Sequence, residues 1–207
     1  MLVMRAFCSY NTCMEWNDRF MTLFREAAER YLVNPHAGTE HLLLPDEIEF
    51  LGTIGLRAED MHHFIADYCT QGAPSPTTAL LVAAQRRSFF LTTLRGISGN
   101  AAEVKAASLP PETEEFQEIP YLPRLARKAE AVLFGTLDKT LMYPDAKDRE
   151  FLQSHGAIPA ADFLALVSAS RGDRQKIVSA VLTAMSHSPS PAAPAAPTPQ
   201  QGELPLS

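Results

Sequence analysis

Two adjacent histidines, His62 and His63, follow Glu59 by three and four residues. On a helix, residues at these spacings occupy neighbouring positions on one surface. Imidazole and carboxylate groups are common zinc ligands, so the spacing predicts a candidate metal site at Glu59, His62 and His63. His36 and His41, in or near the preceding loop, would complete the ligand set. The favoured alternative is that His62 and His63 are surface residues, because a spacing match without a closed ligand set is a weak signal.

Covalent catalysis requires a nucleophile with an adjacent base. The sequence contains no Gly-x-Ser-x-Gly, no phosphate-binding loop and no dinucleotide fingerprint. Its three cysteines, Cys8, Cys13 and Cys69, lack the spacing of a zinc site or a disulfide framework, and their odd number suits a reducing compartment. The sequence therefore predicts no catalytic residue and no cofactor, and it favours a non-enzymatic protein.

Residues 188–207 are rich in proline, alanine and serine, a composition that predicts a disordered tail. The tail carries Gln201, Leu204 and Leu206, which resemble the short peptides through which bacterial replication and repair proteins bind the sliding clamp. That resemblance implies hydrogen bonding by the glutamine at a pocket rim and burial of the leucines. Gly202 departs from the pattern, which has leucine there, and the terminal phenylalanine is absent. The tail thus predicts a protein partner, with the DNA sliding clamp as one candidate. For the clamp-like motif itself, the favoured alternative is a six-residue pattern that arose by chance in a generic tail.

Composition narrows the remaining partner classes. The formal net charge of the 207 residues is −6 and no basic stripe is present, which argues against direct nucleic-acid binding. The apolar amino-terminal stretch breaks at Arg5, and no apolar run approaches the roughly 18 residues that a membrane helix needs. The sequence therefore predicts a cytoplasmic protein that has no membrane partner.

Hydrophobic residues recur at helical spacing along most of the chain, which predicts an all-α fold. Ser75-Pro76 is a typical helix start, and Gly55, Gly72 and Gly96 are typical helix ends. Helices are predicted near residues 16–33, from Pro45 to about 54, and near 58–69, 76–95, 122–135, 146–155, 160–168 and 173–186. The acidic, proline-containing stretch 97–118 is predicted to be a linker, in which residues 100–108 could form a short helix.

The two halves of the chain match when the numbering is shifted by 101 residues. Over residues 24–56 the shift gives eight identities in 33 positions without a gap. Glu49-Phe50-Leu51 falls on Glu150-Phe151-Leu152, and Gly55 falls on Gly156. One inserted residue then aligns the next helix, including Asp60 with Asp162. Chance similarity between amphipathic segments would not place a glycine and a buried pair at one offset, so the pattern predicts a duplicated helical unit.

The second copy, over about residues 119–181, resembles a bacterial family of small helical proteins known only as a domain of unknown function. The resemblance rests on Leu122-Pro123-Arg124-Leu125, Gly135-Thr136-Leu137, the stretch from Pro144-Asp145 to Phe151-Leu152, and the turn from Gly156 to Phe163. Family members often carry a cysteine before the aspartate, whereas Met142-Tyr143 stands here. The resemblance implies a helical architecture and brings no established activity with it.

These patterns together predict two tandem pseudo-symmetric four-helix modules and a disordered C-terminal tail. The predicted boundaries are 14–96 for the first copy, 97–118 for the linker, 119–187 for the second copy and 188–207 for the tail. The favoured function is a non-enzymatic protein-interaction module that uses the tail as a linear motif. The alternative is a metal-binding or small-molecule-binding protein, or an enzyme, with its site at the seam between the copies. There, His41 and Tyr143 would either line a groove or, as we favour, plug it.

Overall fold

Most residues of the computed structural model that can be described are helical. The description covers residues 15–97 and 102–187, so Gln201, Leu204 and Leu206 lie outside it. The helices in this part of the chain are α1 (Trp16–Val33), α2 (Thr39–Leu42), α3 (Pro45–Thr53), α4 (Ala58–Gln71), α5 (Pro76–Thr92), α6 (Leu122–Phe134), α7 (Ala146–Ser154), α8 (Ala160–Ser170) and α9 (Arg174–His187). Two short strands, β1 (Glu115–Phe116) and β2 (Ile119–Pro120), form an antiparallel hairpin. The predicted helical class is confirmed, with this hairpin as an addition.

Local sequence signals set many helix ends. The Ser75 hydroxyl accepts a hydrogen bond from the Thr78 amide at 3.2 Å, and Pro76 takes the first helical position of α5. Gly72 ends α4 with φ at 73°, a conformation in which glycine avoids the steric cost of a side chain. Helix α5 ends at Thr92 rather than at the predicted Arg95. Sequence periodicity did not predict α2, which is a single turn.

The stretch predicted to be a linker packs against the second half of the chain. The Val104 amide donates to the Thr136 carbonyl at 2.7 Å, and the Asp138 amide donates to the Val104 carbonyl at 3.1 Å. Val104 and Leu109 are both buried. Within the described part of residues 100–108, helical structure is limited to one 3-10 turn, Ala106–Ser108.

Helix α5 packs against α1 in the first half and against α6 and α8 in the second. The buried side chains of both halves consequently belong to one hydrophobic core. The matched phenylalanines Phe50 and Phe151 are both buried, and the matched glycines Gly55 and Gly156 both have positive φ, at 75° and 106°. These similarities are consistent with a duplication, and the pseudo-symmetry of two modules stays a prediction.

A buried carboxylate stands at the third position of the short helix in each half. In α3, Glu47 accepts from the Leu44 amide at 2.7 Å and forms a bidentate ion pair with Arg30 of α1, at 2.5 and 2.9 Å. In α7, the equivalent residue is Asp148, which accepts from the Asp145 amide at 3.0 Å. Each carboxylate therefore satisfies an amide at the positive end of its helix, where negative charge is stabilised.

The second-half carboxylate is the more deeply buried of the two. Asp148 is fully buried and accepts from Lys128 Nζ at 2.6 Å and from the Tyr121 hydroxyl at 2.8 Å. The same ammonium also contacts Asp145. Burial raises the pKa of Asp148, and the charge of Lys128 opposes this shift. Burial likewise raises the pKa of Tyr121, and the neighbouring carboxylate adds to it, so the phenol acts as a donor.

We expect Lys128→Met to reduce the free energy of unfolding by about 3–5 kcal/mol, because it leaves Asp148 charged, buried and without its cation. Arg127→Met is the matched control, since Arg127 is solvent-exposed and pairs only with Glu130, and its expected cost is about 0–1 kcal/mol. Urea unfolding of both variants measures the difference. The double variant Lys128→Met with Asp148→Asn should recover part of the loss. Equal costs for Lys128→Met and Arg127→Met would show that the buried pair has no special role.

Candidate functional site: a cavity between the two halves

A small cavity lies at the seam between the two halves. Its walls come from α4 and α5 on one side and from the end of α6 and the following segment on the other. The polar residues that line it are Arg57, Asp60, His63, Arg86 and Tyr143. Its volume is about 20 Å³, which suits a group of one or a few atoms. The seam therefore holds a lined cavity, although not the open groove that two packed modules suggested.

Arg57 and Asp60 form a closed pair at the start of α4. The guanidinium donates to Asp60 at 2.8 and 3.3 Å, and the Arg57 amide donates to the same carboxylate at 3.0 Å. The third guanidinium nitrogen, Nη1, donates to the Leu137 carbonyl across the seam at 2.5 Å. Burial alone would lower the pKa of Arg57, but the hydrogen bond and charge of Asp60 outweigh it and raise the pKa. The carboxylate of Asp60 is thus already engaged by Arg57.

Arg86 is the unusual residue of the cavity. Its side chain is only 3% exposed, yet Nη1 has no hydrogen-bond partner among the described residues. Burial lowers the pKa of Arg86 to about 10, with the charge of Arg57 adding to the effect and that of Asp60 opposing it. The guanidinium stays charged at neutral pH even so, because this pKa is about three units higher. Buried charges are normally paired, so the cavity is electropositive and incomplete.

Gly135, immediately after α6, makes room for this guanidinium. A Cβ atom at Gly135 would lie 2.5 Å from Arg86 Nη2, and the residue has φ at 70°. A left-handed conformation and close approach both favour glycine. Glycine at the end of α6 therefore has a second cause besides its left-handed conformation, which is the placement of Arg86 against the second half.

His63 lines the cavity beside the arginines and is half-buried. Its Nδ1 also has no hydrogen-bond partner among the described residues. Burial lowers the pKa of His63, and the charges of Arg57 and His62 lower it further, while Asp60 and Asp67 oppose them. At neutral pH the neutral imidazole is therefore favoured, and protonation would add a further positive charge to this electropositive wall.

Tyr143, predicted for the seam, does line the cavity. It is buried, and its hydroxyl donates to the Ala160 carbonyl at 2.8 Å. Burial raises the pKa of Tyr143 well above its usual value, and the charge of Asp148 adds to this, so the phenol stays neutral. Because the hydroxyl is already bonded to the start of α8, the residue acts mainly as a wall that fills the seam.

The other predicted site residues do not meet at the cavity. His41 is exposed on α2, with its Nε2 3.7 Å from Glu40, and does not accompany Tyr143. His62 Nε2 lies 3.3 Å from the Ala37 carbonyl, and its ring packs edge-on against Tyr31. Glu59 is half-buried on the same helix. Over residues 15–97 and 102–187, no three side chains of His, Cys, Asp or Glu form a group able to hold a metal ion. The proposed metal site at Glu59, His62 and His63 stays a prediction.

In the sequence, the short basic cluster Arg86-Arg87 is most simply interpreted as a solvated helix face, and for Arg86 this interpretation is wrong because the residue is 3% exposed. A usable signal existed, because Arg86 lies three and four residues from the buried Ala83, Val82, Phe89 and Phe90. Arg87 lies on the flank of this stripe, with its guanidinium 5.0 Å from the Trp16 ring. Arg57 gave no signal by itself, since its role depends on a carbonyl 80 residues away.

Comparison of the chain with protein-family models, curated proteins and solved structures finds no match. The resemblance of the second copy to a family of unknown function thus stays a prediction. In the described residues no helix combines the length and apolar character needed to cross a membrane.

We expect His63 to make stability fall as the solution is acidified. The pKa of His63 is lower in the folded chain than the roughly 6.5 of an unfolded one, so between these two values the unfolded state binds more protons. This contribution is present above about pH 6.5 and is lost as pH falls through the folded-state pKa. The variant His63→Gln should have a smaller loss of melting temperature between about pH 7.5 and pH 5 than the natural chain.

A matched control for this measurement is His187→Gln, at the exposed end of α9. It should keep the full pH dependence of the natural chain. An identical loss of melting temperature in His63→Gln and in the natural chain would contradict the assignment.

Proposed function

We propose that this protein is a ligand-binding helical protein whose seam cavity receives the carboxylate or phosphate group of a small molecule. The observation that carries the proposal is the buried guanidinium of Arg86, which lines a cavity and whose Nη1 has no hydrogen-bond partner in residues 15–97 and 102–187. An anion placed there would supply the missing charge and the missing hydrogen-bond acceptor together. This proposal adopts the small-molecule alternative for the seam. The binding residues are arginines, in place of the histidines of the predicted metal site.

The surrounding charges favour an anion over a cation or a neutral ligand. The described polar wall carries two arginines and one carboxylate, and that carboxylate is already bonded to Arg57. Low local polarity strengthens the attraction of an anion, because the rest of the wall is mostly apolar and includes Leu56, Val82 and Leu137. The small volume admits only one or two oxygen atoms of the head group, so the remainder of the ligand would lie outside the cavity.

A protein-interaction role is the second candidate, with Gln201, Leu204 and Leu206 as its linear motif. Its support is the pair of leucines in this motif and an apolar groove on the described part of the chain, which is presented below. We also propose that the two halves arose by duplication, on the basis of the matched Glu47 and Asp148, which occupy the same position of their helices.

The direct test measures thermal stability of the natural chain and of Arg86→Met in acetate, in phosphate and in chloride at equal ionic strength. Each tenfold excess of an anion over its dissociation constant should add about 1.4 kcal/mol to the natural chain, which corresponds to a few degrees in melting temperature. Arg86→Met should show no anion response. In chloride alone it should be at least as stable as the natural chain, because it removes an unpaired buried charge.

The matched control is Arg87→Met, which makes the same chemical change one residue further along α5 and outside the cavity lining. It should retain the full anion response. A third variant, Arg86→Lys, keeps the charge but loses the planar geometry and should bind more weakly. The proposal fails if neither anion stabilises the natural chain, or if Arg86→Met and Arg87→Met respond alike. A larger response to acetate than to phosphate would identify a carboxylate ligand, and the reverse would identify a phosphate.

A further inference from the structure

A second and larger concavity lies beside the seam. It has a volume of about 670 Å³ and is bordered by α5, α6, α8, the start of α9 and the hairpin. We call it the apolar groove, and its apolar lining includes Phe89, Phe116, Leu133, Phe134, Val167 and Ile177. Phe89 and Phe134 pack edge to face at 5.1 Å, and Phe134 remains 39% exposed. A partly open aromatic floor of this size suits apolar side chains of a bound segment.

The edge of the apolar groove is basic. Arg127, Arg171 and Arg174 all border it, against Glu114 and Glu130. Arg127 is paired with Glu130 at 2.6 Å, and the guanidinium of Arg174 lies 5.0 Å from the Phe116 ring centroid. The surplus of positive charge favours an occupant that carries an acidic residue beside its apolar ones.

Residues 188–207 contain such a sequence. Glu203-Leu204-Pro205-Leu206 places one acid next to two leucines, and Glu203 is the only charged residue of the twenty. Proline disfavours helical geometry for the residue before it, and in an extended chain the residues i and i+2 lie on one face. Leu204 and Leu206 would then enter the apolar groove together while Glu203 approaches the arginines.

The length of chain allows this segment to reach the groove. Helix α9 begins at the groove with Arg174 and Ile177, and its 14 residues span about 21 Å to His187. Leu204 follows His187 by 17 residues. Such a segment spans at most about 60 Å when extended, and five of its residues are proline, which favours extended conformations over a compact coil. This reach exceeds the roughly 21 Å length of α9, so the segment can return to the groove, and its attachment to the same chain raises its effective concentration there.

We propose that Glu203-Leu204-Pro205-Leu206 of the same molecule occupies the apolar groove. The docked state buries both leucines and pairs Glu203 with the basic edge. It also withholds these residues from any external partner, so the groove and a partner of the linear motif compete for one segment. This inference is independent of anion binding at the seam, because the two sites use different residues.

The experiment uses the full chain with a photo-crosslinking amino acid in place of Ser207, which leaves both leucines intact. After irradiation, mass spectrometry of the monomer band maps the attachment sites. We expect attachment to peptides of α6, α8 or the hairpin that line the apolar groove. Leu204→Ser with Leu206→Ser, or Phe134→Ser in the groove, should reduce the yield several-fold. Leu81→Ser is the matched control, since Leu81 is an exposed leucine on α5 outside the groove, and it should leave the yield unchanged.

Three outcomes would overturn the proposal. Attachment outside the groove, or no attachment, would show that the segment does not dock there. Attachment found only between two molecules would assign the groove to a second copy. If Phe134→Ser has the melting temperature of the natural chain and leaves the crosslinking yield unchanged, the segment does not bind to the aromatic floor of the groove. The anion titration of the seam cavity is unaffected by all three, so failure here leaves the proposed function standing.

Discussion

A buried carboxylate at the third position of a short helix holds each half of the chain together. Glu47 and Asp148 each accept from the backbone amide three residues earlier, and each pairs with a cation on the first long helix of its half. Burying a charge is costly unless it is paired and hydrogen-bonded, so this arrangement fixes the short helix to one place on its neighbour. The packing of Phe50 and Phe151 into the core follows from that placement.

Arg86 stands in contrast to these paired charges. Arg30 pairs with one carboxylate and Lys128 with two, whereas the described residues provide no acceptor for Arg86 Nη1. If the residue at this buried position of α5 had only a structural role, an apolar side chain of similar length would reduce the stability of the fold less. A destabilising buried charge of this kind is expected at sites where selection for function outweighs selection for stability. Among the described residues, Arg87 Nε is also buried without a hydrogen-bond partner, but Arg87 lies outside the cavity lining, so the candidate site is defined by the combination of a nine-tenths buried guanidinium and a cavity.

The sequence predicted the long helices well because each one carries periodic apolar residues and a recognisable start or end, as Ser75 and Gly72 illustrate. It missed α2 and the hairpin, which are too short to have a period. It placed Tyr143 between the two halves, where the residue lines the cavity, while a functional site there stays a prediction. It could not pair Arg57 with the Leu137 carbonyl, because contacts across 80 residues depend on packing and leave no local pattern.

The seam cavity and the apolar groove share two structural elements. On α5, Arg86 faces the cavity and Phe89, one turn later, borders the groove. At the end of α6, Gly135 touches Arg86 while the preceding Phe134 packs against Phe89. Interiors are close-packed, so a shift of the Arg86 guanidinium toward a bound anion would be felt by the neighbouring turn of α5 and by the end of α6. An occupant of either proposed site would therefore lie against the same two helix segments, although the two sites bind through different residues.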